Sequence, residues 1–163
     1  MTRSTVAAGV LVIAAVAAAV NAQVDNPQVG TWIMNIAGSQ FSSGTGFKSA
    51  TSRIESVGGG GVKHTVDSVY ADGTTRRYEY TTNYDGTDVP VIGNSPYGDT
   101  VALTHVDANT VRTVYKNKGK VTVIQTSVVS NDRKKRTVTT KGTNPIGQSV
   151  NNVSVYDRQA IVH

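Results

Sequence analysis

The residues with the most chemical promise are Arg76, Tyr78, Tyr80 and Tyr84, all at even positions of one short stretch. In an extended strand every second side chain points to the same face, so these four form a stripe. As a ligand wall, the rings would supply apolar area with polar tips, and Arg76 would meet an anion. The same stripe also reads as an ordinary strand face, because tyrosine is a good β-former and needs no ligand there. His64 and His105 lie in other predicted strands, and His163 is the last residue. Two imidazoles joined by a carboxylate could bind a metal, but no pair stands at ligand spacing, so we assign no metal and no cofactor.

The densest basic run is Arg133, Lys134, Lys135 and Arg136. It could meet a phosphate-bearing polymer or a lipid surface. At a hairpin tip it also reads as a solvated turn that deters edge pairing. The glycines at 58–61 lack a following helix and a Lys-Ser/Thr pair, so they make no phosphate loop. No Gly-x-Ser-x-Gly elbow occurs, and Glu55 and Glu79 are the only glutamates. These absences point away from an enzyme.

The elements that must position these residues are strands. Residues 31–36 open the series, with Trp32 and Met34 on one face and Ile33 on the other. Residues 37–46 are rich in Ser and Gly and read as a loop. Residues 47–57, 62–70, 75–84, 100–106, 110–116, 121–129, 135–142 and 150–157 read as strands, separated by signals such as Asp72-Gly73 and Asp85-Gly86. Pro90 marks residues 88–92 as a short edge-like segment. No segment after residue 22 shows helical periodicity. The spacing predicts an all-β fold, an antiparallel up-and-down barrel of about 8–10 strands, closed so that it has no free edges.

With 163 residues the chain fits one domain. Arg3, the unbroken apolar run 6–20 and the small Ala22 read as a cleaved signal peptide over residues 1–22. The run is too short for the roughly 20 residues that span a bilayer. The expected product is an exported barrel over residues 23–163, periplasmic or secreted, monomeric and without a stable membrane anchor. The chain has no cysteine, which excludes disulfides, thiolate metal sites and a lipobox. Its formal charge of +5 is scattered along the strands and gives no reason to invoke nucleic acid.

Several stretches resemble the calycin barrels, and fatty-acid-binding proteins in particular. They are Gly30-Thr31-Trp32, the run Leu103 to Val111, Gly119-Lys120 with the strand to Ile124, Lys141-Gly142, and Val155-Tyr156-Asp157-Arg158. The chain also resembles small exported bacterial lipocalin-like proteins. The resemblance implies a ligand carboxylate held by two arginines and a tyrosine. On that register the arginine positions fall at Thr126 and Ser154, and only the tyrosine is kept, as Tyr156. The helical lid of the family has no counterpart, since residues 37–46 are too few for two helices. The last strand is ambiguous: the family register turns Asn152, Ser154 and Tyr156 inward, whereas apolar burial would turn Val153 and Val155 inward.

The leading expectation is a non-enzymatic barrel that binds a small hydrophobic or amphipathic molecule inside. Its wall would be Tyr78, Tyr80, Thr126, Ser154 and Tyr156, with Arg76 as the internal cation. The rival is a filled barrel that acts through its outer surface as an envelope or extracellular interaction module, with Leu103, Ile124 and Val128 packed to the axis. A third reading, acid–base catalysis by Tyr156 or a histidine, requires a polar cluster around one of them.

Overall fold

The computed structural model describes residues 25–42 and 46–160. The expected signal segment lies outside these residues. The described chain holds eleven strands and no helix. They are β1 (Gly30–Gln40), β2 (Phe47–Gly58), β3 (Gly61–Tyr70), β4 (Thr75–Thr82), β5 (Val89–Pro90), β6 (Ile92–Gly93), β7 (Thr100–His105), β8 (Thr110–Asn117), β9 (Lys120–Val129), β10 (Lys135–Thr143) and β11 (Ser149–Arg158). All pairings are antiparallel, and the long strands pair in chain order. β1 closes against β11, with Met34 opposite Tyr156. The result is a nearly closed up-and-down barrel.

Short local signals set the hairpins. Lys118 and Gly119 both take positive φ, 50° and 77°, as a two-residue turn between β8 and β9 requires. The segment around Pro90 becomes the seam of the barrel. Val89 and Pro90 pair with Val101 and Thr100 of β7, while Ile92 and Gly93 pair with Glu79 and Tyr78 of β4. Proline is tolerated because only two residues of β5 pair, and Val91 supplies the next amide, donating to the Asp99 carbonyl at 2.9 Å. Gly93 has φ 100°, and a Cβ there would lie 2.5 Å from the Arg77 carbonyl oxygen. Only glycine lets the seam approach β4 this closely.

Strand alternation decides what the barrel contains. Trp32 and Met34 of β1, Ala50, Ser52 and Ile54 of β2, and Val62 and His64 of β3 are buried. So are Tyr78 and Tyr80 of β4, and Val111, Thr113 and Tyr115 of β8. On β11 the polar register prevails: Val150, Ser154 and Tyr156 are buried, while Val153 and Val155 are half-buried on the other face. On β9 the inward residues are Val123, Ser127 and Val129, and Thr126 is exposed. The assignment of Thr126 to the wall is therefore corrected, because one residue along a strand reverses the face.

Three further expectations change. β1 runs on to Gln40, which pairs with Val153, so the loop after it is shorter than residues 37–46. Of Leu103, Ile124 and Val128, only Leu103 is buried; Ile124 is half-buried and Val128 is 42% exposed. The basic run divides, since Lys134 and Lys135 are exposed while Arg136 is 6% exposed and points inward.

One end of the barrel is plugged by residues 25–29. Gln28 is buried and reaches the Asn109 carbonyl with Nε2 at 2.9 Å. The Trp32 indole N–H donates to the Gln28 carbonyl at 2.9 Å. Arg158 lies over the Trp32 ring at 4.1 Å and donates to the carbonyls of Val29 and Pro27, each at 2.7 Å.

Candidate functional site

Arg136 is the centre of the interior. It pairs across the sheet with Val129 and Tyr156, and its alternation partners on β10 are Val138 and Thr140, both buried. Its Nε donates to Ser127 Oγ at 2.7 Å and its Nη1 to Ser52 Oγ at 2.8 Å. The guanidinium lies over the Tyr156 ring, 5.7 Å from the centroid. No described carboxylate forms an ion pair with it, and Nη2 makes no hydrogen bond to a described residue. A guanidinium keeps its charge in proteins, so this is a buried cation without a counter-charge among the described residues.

Both serines pass the interaction on. Ser127 Oγ donates to Gln28 Oε1 at 2.9 Å, which ties the arginine to the plug. Ser52 Oγ lies 2.7 Å from His64 Nε2, and His64 Nδ1 lies 2.6 Å from the Tyr80 hydroxyl. Arg136 can only donate, so Ser52 Oγ accepts from it. Ser52 then either donates to His64 Nε2, with the imidazole hydrogen on Nδ1 facing Tyr80, or accepts from Nε2–H while the Tyr80 hydroxyl donates to Nδ1. Burial, and then the charge of Arg136, hold His64 well below the ordinary histidine range. The ring is neutral at pH 7. Burial likewise pushes the hydroxyls of Tyr78, Tyr80, Tyr97, Tyr115 and Tyr156 up, so all five stay protonated. The Tyr115 hydroxyl neighbours those of Tyr78 and Tyr80. It nevertheless makes no well-aligned hydrogen bond within the described chain.

Arg136, Ser52, His64, Ser154 and Tyr156 line an inner chamber of about 40 Å³. A mouth of about 350 Å³ lies beside it, and Phe47, Tyr70, Pro96 and Tyr97 form the wall common to both spaces. The mouth is aromatic: Phe41 and Phe47 have centroids 5.1 Å apart, and Phe47 stacks on Tyr70 at 4.7 Å. An aromatic wall thus stands between a mouth of mixed character, which also carries Asp72, Arg76 and Asn152, and a cationic inner chamber.

The structure brings Tyr78, Ser154 and Tyr156 together with Arg136 around the inner chamber. Tyr80 sits behind His64, on the far side of the hydrogen-bond chain. Arg76 is not the internal cation. It is half-buried at the mouth, donating to Asn94 Oδ1 at 3.0 Å with its guanidinium 5.6 Å from the Tyr70 centroid. Sequence reasoning missed Arg136 and Ser52, and it left His64 without partners. The signal for Arg136 was the alternation Arg136, Val138, Thr140, which sets the arginine on an apolar face. His64 does have the polar cluster that the acid–base reading required. Among the described residues no group of three or more His, Asp or Glu side chains is placed to hold a metal ion.

No protein-family model and no curated protein matches the sequence. Solved structures do. A crystal structure of a single-residue mutant of the fluorescent protein UnaG is 16% identical, covering 83% of this chain and 98% of that one, with a TM-score of 0.54. The wild-type UnaG structure is 15% identical, covering 81% and 97%, with a TM-score of 0.51. At this identity the likeness is one of fold, and it agrees with the calycin-like barrel that the sequence resembles.

Proposed function

We propose that this barrel binds a small, partly apolar organic anion, its charged group on Arg136 and its apolar body in the aromatic mouth. One observation carries the reading: Arg136 is a buried cation with no described carboxylate beside it, in a chamber that shares its aromatic wall with an outward mouth. Taking an ion out of water costs several kcal/mol, and an anion in the chamber offsets that cost. Phe47, Tyr70 and Tyr97 would cover the rest of the molecule by contact rather than by fixed polar geometry. We further propose that residues 1–22 are a removed signal segment and that the mature barrel works outside the cytoplasm as a monomer.

The rival outer-surface reading loses its main feature. Arg136 is inside, Arg133 pairs with Asp25 at 2.6 Å, and Lys135 pairs with Asp157 at 2.8 Å. The acid–base reading keeps its cluster, yet Ser52 is 2% exposed and already held by both Arg136 and His64. Binding without catalysis fits that seclusion better.

Native mass spectrometry of the protein purified from its own host, followed by solvent extraction, tests the proposal. The expected result is a stoichiometric organic acid that is missing from Arg136→Met. An extracted neutral compound, or equal loading of the variant, would refute it. So would a clean apo mass together with failure to bind 8-anilinonaphthalene-1-sulfonate.

A further inference from the structure

We propose that the interior site takes up its anion together with a proton, which His64 accepts. The inference rests on the anion-binding reading above and adds a second, linked ligand to it.

Ser52 Oγ stands between Arg136 Nη1, at 2.8 Å, and His64 Nε2, at 2.7 Å. With the imidazole hydrogen on Nδ1, the arginine donates to Ser52 and Ser52 donates to His64, so the serine hydrogen points away from the chamber. A proton on His64 Nε2 reverses that bond, because an imidazolium donates from both nitrogens. Ser52 Oγ then accepts from Arg136 and from His64 with its two lone pairs. Its own hydrogen is released and can turn to the chamber it lines. Protonating His64 therefore creates a new hydrogen-bond donor for an anion seated beside Arg136. The proton comes from solvent and stays on the imidazole, and no bond is broken except the reoriented hydrogen bond.

Electrostatics favours the same coupling. Around His64 stand Ser52 on β2, Arg136 on β10, and Tyr80 on β4, whose ring meets it edge-on at 5.1 Å. Tyr115 on β8 lies behind Tyr80, with ring centroids 6.4 Å apart, and Tyr84 is also within electrostatic reach of Tyr80. None of these is a carboxylate. In the empty barrel a charged His64 would face only Arg136, a like charge, and burial already disfavours it. An anion on Arg136 inverts that field and makes the proton welcome. Linkage is reciprocal, so a ligand that raises the proton affinity of His64 must itself bind more tightly as pH falls.

The test uses 8-anilinonaphthalene-1-sulfonate, whose sulfonate stays charged throughout, so any pH dependence belongs to the protein. Between about pH 7.5 and about pH 5.5 its affinity for the wild type should rise by up to roughly tenfold per pH unit, the signature of one linked proton. In His64→Gln the affinity should be flat with pH, and Arg136→Met should weaken binding by about 100-fold. As a readout that needs no variant, the His64 imidazole followed by NMR should titrate at higher pH with the probe than without it. Binding that is independent of pH, or a His64 titration that the probe does not move, overturns the proton coupling while leaving the anion site standing. No binding at any pH overturns both.

Discussion

Replacing Arg136 by methionine separates a binding residue from a structural one. The change removes two hydrogen bonds from a charged donor, to Ser127 and Ser52, each worth about 1.5–3 kcal/mol. It also removes the contact over the Tyr156 ring, worth about 1 kcal/mol. Against this, it ends the burial of an unpaired ion, which costs several kcal/mol. Neither serine is stranded, because Ser127 still bonds Gln28 and Ser52 still bonds His64. Methionine keeps the length of the chain and packs adaptably beside Val138. The terms nearly cancel, so Arg136→Met should leave stability within about 2 kcal/mol of wild type, on either side, a range expected when a buried ion gives way to an apolar group. The assay is urea unfolding followed by Trp32, the only tryptophan and fully buried. Probe binding should fall by about 100-fold, the equivalent of about 3 kcal/mol of charge-assisted bonding. A loss of stability above about 3 kcal/mol would show that Arg136 earns its place as a strut, and the reasoning from an unpaired charge would fail.

Four further outcomes follow from the same geometry. His64 is held below its unfolded value, so above about pH 6.5 it contributes nothing to the pH dependence of stability; below that the unfolded chain binds a proton that the apo barrel resists. Apo stability should therefore fall by up to about 1.4 kcal/mol per pH unit as the pH drops through that window, and the slope should vanish in His64→Gln, as denaturation midpoints at about pH 7.5 and about pH 5 will show. Arg158→Lys cannot keep the carbonyls of Pro27, Val29 and Arg133 together, so it should cost about 2 kcal/mol and shift Trp32 emission to the red; unchanged emission would mean that the plug does not depend on the fork. Gly93→Ala should cost more than about 3 kcal/mol in urea unfolding, because its Cβ would meet a backbone oxygen at the seam. Thr126→Val should leave probe affinity within about twofold, since the side chain faces solvent, and a larger change would restore the register implied by the family resemblance.

The fold was legible because it is written in local signals. Alternation and turn chemistry placed the long strands and the β8–β9 hairpin, and both are short-range properties of the chain. The seam was harder. Pro90 reads as an edge, and nothing local says that Val89 would pair with Val101 while Gly93 pairs with Tyr78. The site was legible only where face and residue type agreed. Tyr78 came from the alternating stripe of rings and Tyr156 from the resemblance to fatty-acid-binding proteins, and both line the inner chamber. Arg136 was hidden because charge suggests solvent, and its neighbours Arg133, Lys134 and Lys135 strengthen that impression. Ser52 and His64, 12 residues apart, meet across the β2–β3 hairpin, whereas Ser52 and Arg136 are 84 apart and only closure of the barrel makes them partners.

The inward register of the last strands gives the clearest reason to regard the polar interior as built. On β9 and β11 the chain offers a choice between facing Ser127 and Ser154 inward or facing Val128, Val153 and Val155 inward. Apolar burial does not oppose the serine-bearing faces, because Val123 and Val129 on β9 and Val150 and Tyr156 on β11 go inward with them, at about 1.5–3 kcal/mol for each side chain fully buried. With them the barrel draws in two serines and an arginine, while Val128 stays 42% exposed. Tyr156 sets part of this register, since it shares the inward face with Ser154 and packs with Trp32 and Met34. On β10, Val138 pairs with Ser154 on one side and Ser127 on the other, so the three strands turn inward together. A one-residue slip would eject Arg136 and both serines at once. The polar floor is thus a cooperative property of three strands. It rides on the same faces as the buried Val123, Val129, Val138, Val150 and Tyr156, so one register holds both the apolar core and the polar floor.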